Sequence, residues 1–256
     1  MALLEARGLT VSYGGVHANE DIDLDCEAGR IVGLIGPNGA GKTTFIDAIT
    51  GFTSITGGTV TFDGRDLRRS SPSARARLGL TRTFQSLELF EDLSVRDNLL
   101  AAADRPRWFS VLGDLVAPSR GNLGARERVE WALETMDLRG VADVMPDRLS
   151  HGQRKLVTMA RAFASRPTLV LLDEPAAGLD TTESQALGAL LRAVVDDGIS
   201  LFLIDHDMGL VLGTCDDVYV LDFGRVIAHG PPAVIREDPT VIEAYLGSGP
   251  TEGGSR

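Results

Sequence analysis

Two cysteines in 256 residues, Cys26 and Cys215, are too few for a disulfide framework and lack metal-ligand spacing. They read as small buried apolar groups in a reducing compartment. Long apolar runs are missing too: no uncharged stretch approaches the roughly 20 residues that span a bilayer. The opening segment, MALLEARGLTVSY, meets Glu5 and Arg7 before a signal-peptide core can form. Any membrane role is therefore expected to pass through a partner. Basic residues are outnumbered, 25 Lys+Arg against 36 Asp+Glu, for a net charge of -11. Such a surface repels phosphate backbones, so nucleic acid is not an expected partner. A local cradle for one phosphate group survives that argument, because backbone N–H groups can build it.

The rest of the composition is ordinary for a globular chain, 43% hydrophobic and 24% charged. At roughly 150 residues per domain, it allows one large domain or two small ones. Apolar runs at Ile31–Ile35, Leu169–Leu172 and Ser200–Ile204 read as buried parallel strands. Lys42–Thr50 reads as a helix stopped at Gly51. Glu183–Val195 reads as another, with Leu187, Leu190, Leu191 and Val194 on one face. This succession predicts an α/β fold, a parallel sheet covered by helices. Residues 1–30 and 57–64 alternate as short antiparallel strands do. The stretch from about 91 to 166 reads as helical, including an apolar face of Trp108, Val111, Leu112 and Leu115. Residues 247–256 have the composition of a disordered tail.

Gly36–Thr44 reads GPNGAGKTT and fits G-x-x-x-x-G-K-[ST] between a strand and a helix. Each residue type has a reason. Gly39 and Gly41 let the backbone curl so that successive N–H groups point inward, and Gly36, Asn38 and Ala40 belong to the same cradle. The helix N-terminus adds its dipole and free donors. Lys42 reaches the β- and γ-phosphates, Thr43 offers a hydroxyl to Mg²⁺, and Thr44 serves the α-phosphate. This is a nucleoside-triphosphate site. Asp173 and Glu174 follow the strand LVLL directly, and strand alternation sends adjacent acids to different places. Asp173 is the candidate for Mg²⁺ and Glu174 for the general base on water.

Further pieces bring a family into view. Leu149–Gln153 reads LSHGQ and opens a helix; Arg82–Gln85 reads RTFQ; Ala177–Asp180 reads AGLD; His206 follows the strand SLFLI. With Tyr13 near the start, the set resembles the ATP-binding cassette ATPases over essentially the whole chain. The resemblance implies a P-loop NTPase core with an antiparallel β subdomain and a helical subdomain, in one domain over residues 1–246. It implies that Tyr13 stacks on adenine. Gln85 touches Mg²⁺ or the attacking water and senses a membrane partner. Ser150, Gly152 and Gln153 belong to the signature that binds the γ-phosphate of the opposite subunit. Asp180 lies on the loop that crosses the dimer interface, and His206 contacts the γ-phosphate. Ser150 and Gln153 also form an S-x-x-Q capping box, which is reason enough for either residue. His151 departs from the glycine common at its position.

Within that family DEPAAGL, the His206–Met208 triplet HDM and the ending VIEAYLG at Val241–Gly247 look like the ATPases of branched-chain amino-acid importers. ATPases for urea or short amides, and one for lipopolysaccharide export, share parts of this pattern. The resemblance implies ATP and Mg²⁺ as cofactors and a second ATPase subunit, identical or different. It implies transmembrane permease subunits and, through them, an extracytoplasmic substrate-binding protein. The place implied is the cytoplasmic face of the membrane. A soluble cassette ATPase acting in assembly or repair is the alternative; a non-hydrolysing sensor is disfavoured because Glu174 and His206 are both present. Ser86–Leu93 (SLELFEDL) interleaves Leu87, Leu89 and Phe90 with Glu88, Glu91 and Asp92. That gives an apolar floor with an acidic rim, suited to a short permease helix.

Overall fold

The computed structural model describes residues 2–83, 89–103 and 120–246. Two 12-residue strands open the chain, β1 (Ala2–Tyr13) and β2 (Val16–Glu27). They are longer than the short strands expected. Register shifts along their pairing, as between Ala6 and Leu9, interrupt the simple alternation on which that expectation rests. With β4 (Gly57–Phe62) and β5 (Arg65–Asp66) they form an antiparallel sheet in the order β2-β1-β4-β5.

The second sheet holds β3 (Ile31–Ile35), β6 (Leu80–Arg82), β7 (Leu169–Asp173), β8 (Ser200–Ile204), β9 (Asp217–Asp222) and β10 (Arg225–Gly230). Its order is β10-β9-β3-β8-β7-β6, parallel throughout except for β10. Helix α1 (Lys42–Thr50) follows β3 and ends at Gly51, whose φ of 87° closes it in the left-handed region as expected. A short α2 (Pro72–Arg77) leads to β6. Helices α3 (Val95–Ala103), α4 (Arg120–Thr135) and α5 (His151–Ala164) come between β6 and β7. Then α6 (Thr181–Asp196) and α7 (Met208–Thr214) flank β8, and α8 (Pro232–Glu237) and α9 (Pro239–Leu246) follow β10. α6 starts two residues before the expected Glu183 because Asp180 caps it. The Trp108–Leu115 helix and the tail at 247–256 lie outside the described residues.

The central strands are buried on both sides, and their period of two sorts side chains into two cores. Val32, Leu34, Leu171 and Phe202 face α1 and the antiparallel sheet, with Phe45, Ile46, Leu9 and Phe62. Ile31, Ile35, Leu172 and Leu203 face the helices, with Leu99, Val157, Phe163 and Leu191. Each such side chain contributes about 1.5–3 kcal/mol by leaving water. Gly33 lies where α7 crosses: a Cβ there would meet Val211 Cγ1 at 2.8 Å and Cys215 Sγ at 2.9 Å. The helix sits close because the strand has no side chain at that point. Cys26 and Cys215 are both free and buried.

Candidate functional site

β3, β8 and β7 are neighbours in the sheet, so their C-terminal ends bring three segments together. β3 delivers Gly36–Thr44. Gly36 and Gly41 have no room for a side chain: a Cβ would meet Leu221 O at 2.0 Å and Ala18 O at 2.5 Å respectively. Gly39 differs, since a Cβ there meets nothing within 4 Å. Asn38, Gly39 and Thr43 are exposed, whereas Ala40 and Lys42 are buried. Helix α1 carries no side-chain cap; Gly41 at its N-terminus has φ 101°. Its first-turn N–H groups, including those of Lys42, Thr43 and Thr44, have no partner within the helix. The cradle is also oriented from behind. Ala40 O accepts from Gly224 N–H at 2.9 Å, and Gly41 O accepts from Asn19 Nδ2 at 3.1 Å. Because a trans peptide opposes its C=O and N–H, these bonds turn the N–H groups of Gly41 and Lys42 the other way. Lys42 Nζ donates to Gly36 O at 2.7 Å and Pro37 O at 3.0 Å, folding the ammonium over the loop. Burial holds this ammonium below the ordinary lysine range, against the opposing pull of Glu174, Asp173 and Asp205.

β7 ends at Asp173, and Glu174 has already left the strand with φ 49°. Strand alternation is therefore not what separates the two acids: a left-handed residue is. Glu174 N–H bonds Ile204 O at 2.7 Å, joining the ends of β7 and β8. Beyond β8, Asp205 is fully buried and His206 is exposed. His206 Nδ1 lies 3.9 Å from Glu174 Oε2 and 3.5 Å from Asp205 Oδ1. Lys42, Asp173, Glu174 and His206 are thus gathered at the C-terminal ends of these three strands. Tyr13 ends β1 with its ring half exposed and its hydroxyl 2.9 Å from Thr53 Oγ1.

Ser150, Gly152, Gln153 and Asp180 form a second group. Ser150 caps α5, accepting from Gln153 N–H, and Gln153 Oε1 accepts from Ser150 N–H at 3.0 Å. Asp180 caps α6 in the same reciprocal way with Glu183, a D-x-x-E pattern legible in the sequence but not read there. The helix ends touch: a Cβ on Gly152 would lie 3.2 Å from Glu183 Oε1. His151 finds room against Gly178, where a Cβ would stand 3.2 Å from its Nε2. Among the described residues, no hydrogen bond or ion pair joins this group to residues 36–44. Gln85 lies outside the described residues, as do Leu87 and Glu88. Of the expected docking segment, Leu89 is core, and Phe90 is exposed beneath the Arg161 guanidinium, 4.9 Å from the ring centroid. Glu91 pairs with Arg154, so that part of the acidic rim is already neutralised.

A family model described as ABC transporter matches residues 19–177, more than half of the chain and all of the cradle and both carboxylates. The chain belongs to the ABC transporter family. A second model, described as a branched-chain amino acid ATP-binding cassette transporter, matches residues 225–250. The high-affinity branched-chain amino acid transport ATP-binding protein BraF of Pseudomonas aeruginosa is 38% identical over 96% of this chain and 98% of its own. LivG of Escherichia coli, of the same description, is 37% identical with the same coverage. The lipopolysaccharide export ATP-binding protein LptB of Escherichia coli is 35% identical, again over 96% and 98%. Among solved structures, an ATP-binding cassette of an ABC transporter in its ADP conformation is similar with a TM-score of 0.82 and 29% identity. It covers 96% of this chain and 99% of that one. The fold is that of an ABC ATPase.

Four residues with no role assigned from the sequence are drawn into the site of this ABC ATPase. Arg82 bridges Asp173 and Asp47, and Asn19 holds the cradle from below. Lys155 of α5 reaches the backbone of Glu174 and Pro175. Tyr245, in the family-like ending on α9, brings its hydroxyl to the backbone of Gly36, and burial pushes its phenol up to about 12. No local motif marks them, because each acts across a contact distant in sequence.

Proposed function

We propose that this ABC ATPase hydrolyses ATP to drive import of branched-chain amino acids or related small polar solutes. It does so within one ATPase domain over residues 1–246, with a helical subdomain at about 91–166. The observation that carries the reading is the gathering of Lys42, Asp173, Glu174 and His206 at the ends of three adjacent strands. In this reading Gly36, Asn38, Gly39, Ala40 and Gly41 wrap the phosphates with Lys42 and Thr44, and Tyr13 stacks on adenine. Glu174 takes the proton of the attacking water, and His206 holds the γ-phosphate. Thr43, Asp173 and Gln85 would hold Mg²⁺, which neutralises phosphate charge when bound. The donor set fits that ion. Among the described residues no cluster of three His, Cys, Asp or Glu side chains exists to hold a metal alone, and Mg²⁺ takes few protein carboxylates beside phosphates and waters.

Ser150, Gly152, Gln153 and Asp180 then serve the ATP of a second ATPase subunit, so that two chains close on two ATP. No described helix is long and apolar enough to cross a membrane. In this reading the chain works at the cytoplasmic face, held by permease subunits that meet the substrate-binding protein outside. The match at residues 225–250 favours the branched-chain importer over the lipopolysaccharide exporter, whose LptB is also similar. Proteoliposomes holding the chain with its permease and binding protein should take up labelled leucine when ATP is enclosed. Glu174→Gln should keep ATP binding, lose turnover roughly 10²–10⁴-fold and abolish uptake. Purification free of any permease, with no uptake, would favour the assembly-factor alternative. An ATPase rate per subunit independent of protein concentration would remove the dimer.

A further inference from the structure

Lys155 is a buried ammonium with no part in the chemistry above. It lies on α5, two residues beyond the capping box, and it is 8% exposed. Its Nζ donates to Glu174 O at 3.2 Å and to Pro175 O at 3.1 Å. On the other side of the same turn, the fully buried Asp205 accepts from Ala176 N–H through Oδ2 at 2.9 Å. The remaining carboxylate oxygen is taken by Asp207 N–H at 3.0 Å. Glu174 N–H is itself committed to Ile204 O at 2.7 Å. The three residues 174–176 are thus gripped from two directions, by a cation on α5 and an anion after β8.

Such a grip has something to hold. Glu174 has φ 49°, a conformation costly for any side chain other than glycine and kept only where the surroundings over-determine it. Were the strand to run on, Glu174 would project to the face opposite Asp173. The left-handed turn re-aims it toward His206. Burial depresses the Lys155 ammonium below the ordinary lysine range, against the pull of Asp205 and Glu174. A group placed there at that cost, with both acceptors on one strained turn, is not a generic surface cation.

We propose that Lys155 is a positioning residue through which helix α5 holds Glu174 in its left-handed conformation. The inference rests on the reading of Glu174 as general base. It makes the helix that opens with Ser150 and Gly152 a mechanical support of the base in its own subunit. A shift of α5 relative to β7 would move both carbonyl bonds and, with them, the carboxylate.

The test is a double-mutant cycle in the full chain, with steady-state hydrolysis and fluorescent-nucleotide titration. Lys155→Met should lower kcat by about 10–100-fold, the scale of a small misplacement of a reacting group. Nucleotide Kd should stay within about threefold, because the cradle is untouched. In the Glu174→Gln background, Lys155→Met should cost nothing further, since the group it positions is gone. Losses that multiply across the cycle, or a near-normal kcat for Lys155→Met, overturn the proposal. If Lys155→Met does not fold, Lys155→Gln, which keeps donors on a shorter stem, takes its place in the cycle. A loss of kcat that vanishes in the Glu174→Gln background supports the proposal there too, and multiplying losses or a near-normal kcat overturn it. Failure of the underlying reading looks different: Glu174→Gln alone would then hydrolyse ATP at a near-normal rate.

Discussion

The Arg82 guanidinium donates to Asp173 Oδ2 at 2.8 Å, with both side chains less than a tenth exposed. Its other terminal nitrogen holds Asp47, so β6 clamps the end of β7 to helix α1. One oxygen of the candidate metal carboxylate is therefore fixed by protein, and the strand end cannot drift from the cradle.

Removing that cation exposes the cost of the two acids. Arg82→Met should destabilise the chain by about 2–3 kcal/mol, below the usual range for a broken buried pair because Asp47 is partly exposed. Urea unfolding measures it. A loss under about 0.5 kcal/mol, the scale of ordinary surface substitutions, would show that the bridge holds nothing.

Gly39 and Gly41 should respond oppositely to the same methyl group. Gly41→Ala drives a Cβ into Ala18 O and Asn19 Nδ2, at 2.5 and 2.7 Å, and should destabilise the fold severely. Gly39→Ala meets open space and pays only the left-handed backbone, about 1–2 kcal/mol. Its methyl should instead crowd the cradle and weaken ATP binding at least about tenfold. Thermal melts and nucleotide titration separate the two. Equal melts would mean the loop relaxes around Gly41.

The contrast marks what the sequence could tell. Strand cores, α1 and the Ser150 cap follow from apolar runs and short-range side-chain chemistry, which are local. The left-handed Glu174 is not legible, because its conformation is held by Lys155, Ile204 and Asp205, one of them 19 residues upstream and the others about 30 downstream. Alternation predicts that Asp173 and Glu174 aim differently, and they do, but alternation is the wrong cause. Arg82 hides inside RTFQ, where the resemblance points to Gln85 instead. The Asp180 cap is visible as D-x-x-E, beside a resemblance that points to the dimer interface instead.

The cysteines give a test of the core. Cys26 is wholly buried, and burial pushes its thiol up to about 12; burial raises Cys215 as well. With its thiol raised by burial, Cys26 offers almost no thiolate at pH 8, and it has no access to reagent. Neither cysteine should react with a bulky disulfide reagent in the native protein, and both should react in guanidinium. Labelling of Cys215 within minutes under native conditions, located by peptide mapping, would contradict the packing of α7 on Gly33.

Ser150 has two roles to disentangle, and they demand different things of its side chain. As a cap it needs an acceptor for Gln153 N–H, which aspartate supplies as well as serine. As a γ-phosphate contact it needs a neutral group, because the helix N-terminus must receive an anion from the second subunit. Ser150→Ala should therefore lose about 1 kcal/mol of stability. Ser150→Asp should match the wild type within about 0.5 kcal/mol in urea unfolding, since its cap is preserved. Its ATPase rate should nonetheless fall at least about tenfold, because a carboxylate now stands where phosphate must bind, like charge against like. The three proteins together decide the matter. If hydrolysis simply follows stability, with Ser150→Asp as active as the wild type, Ser150 caps α5 and does not touch phosphate.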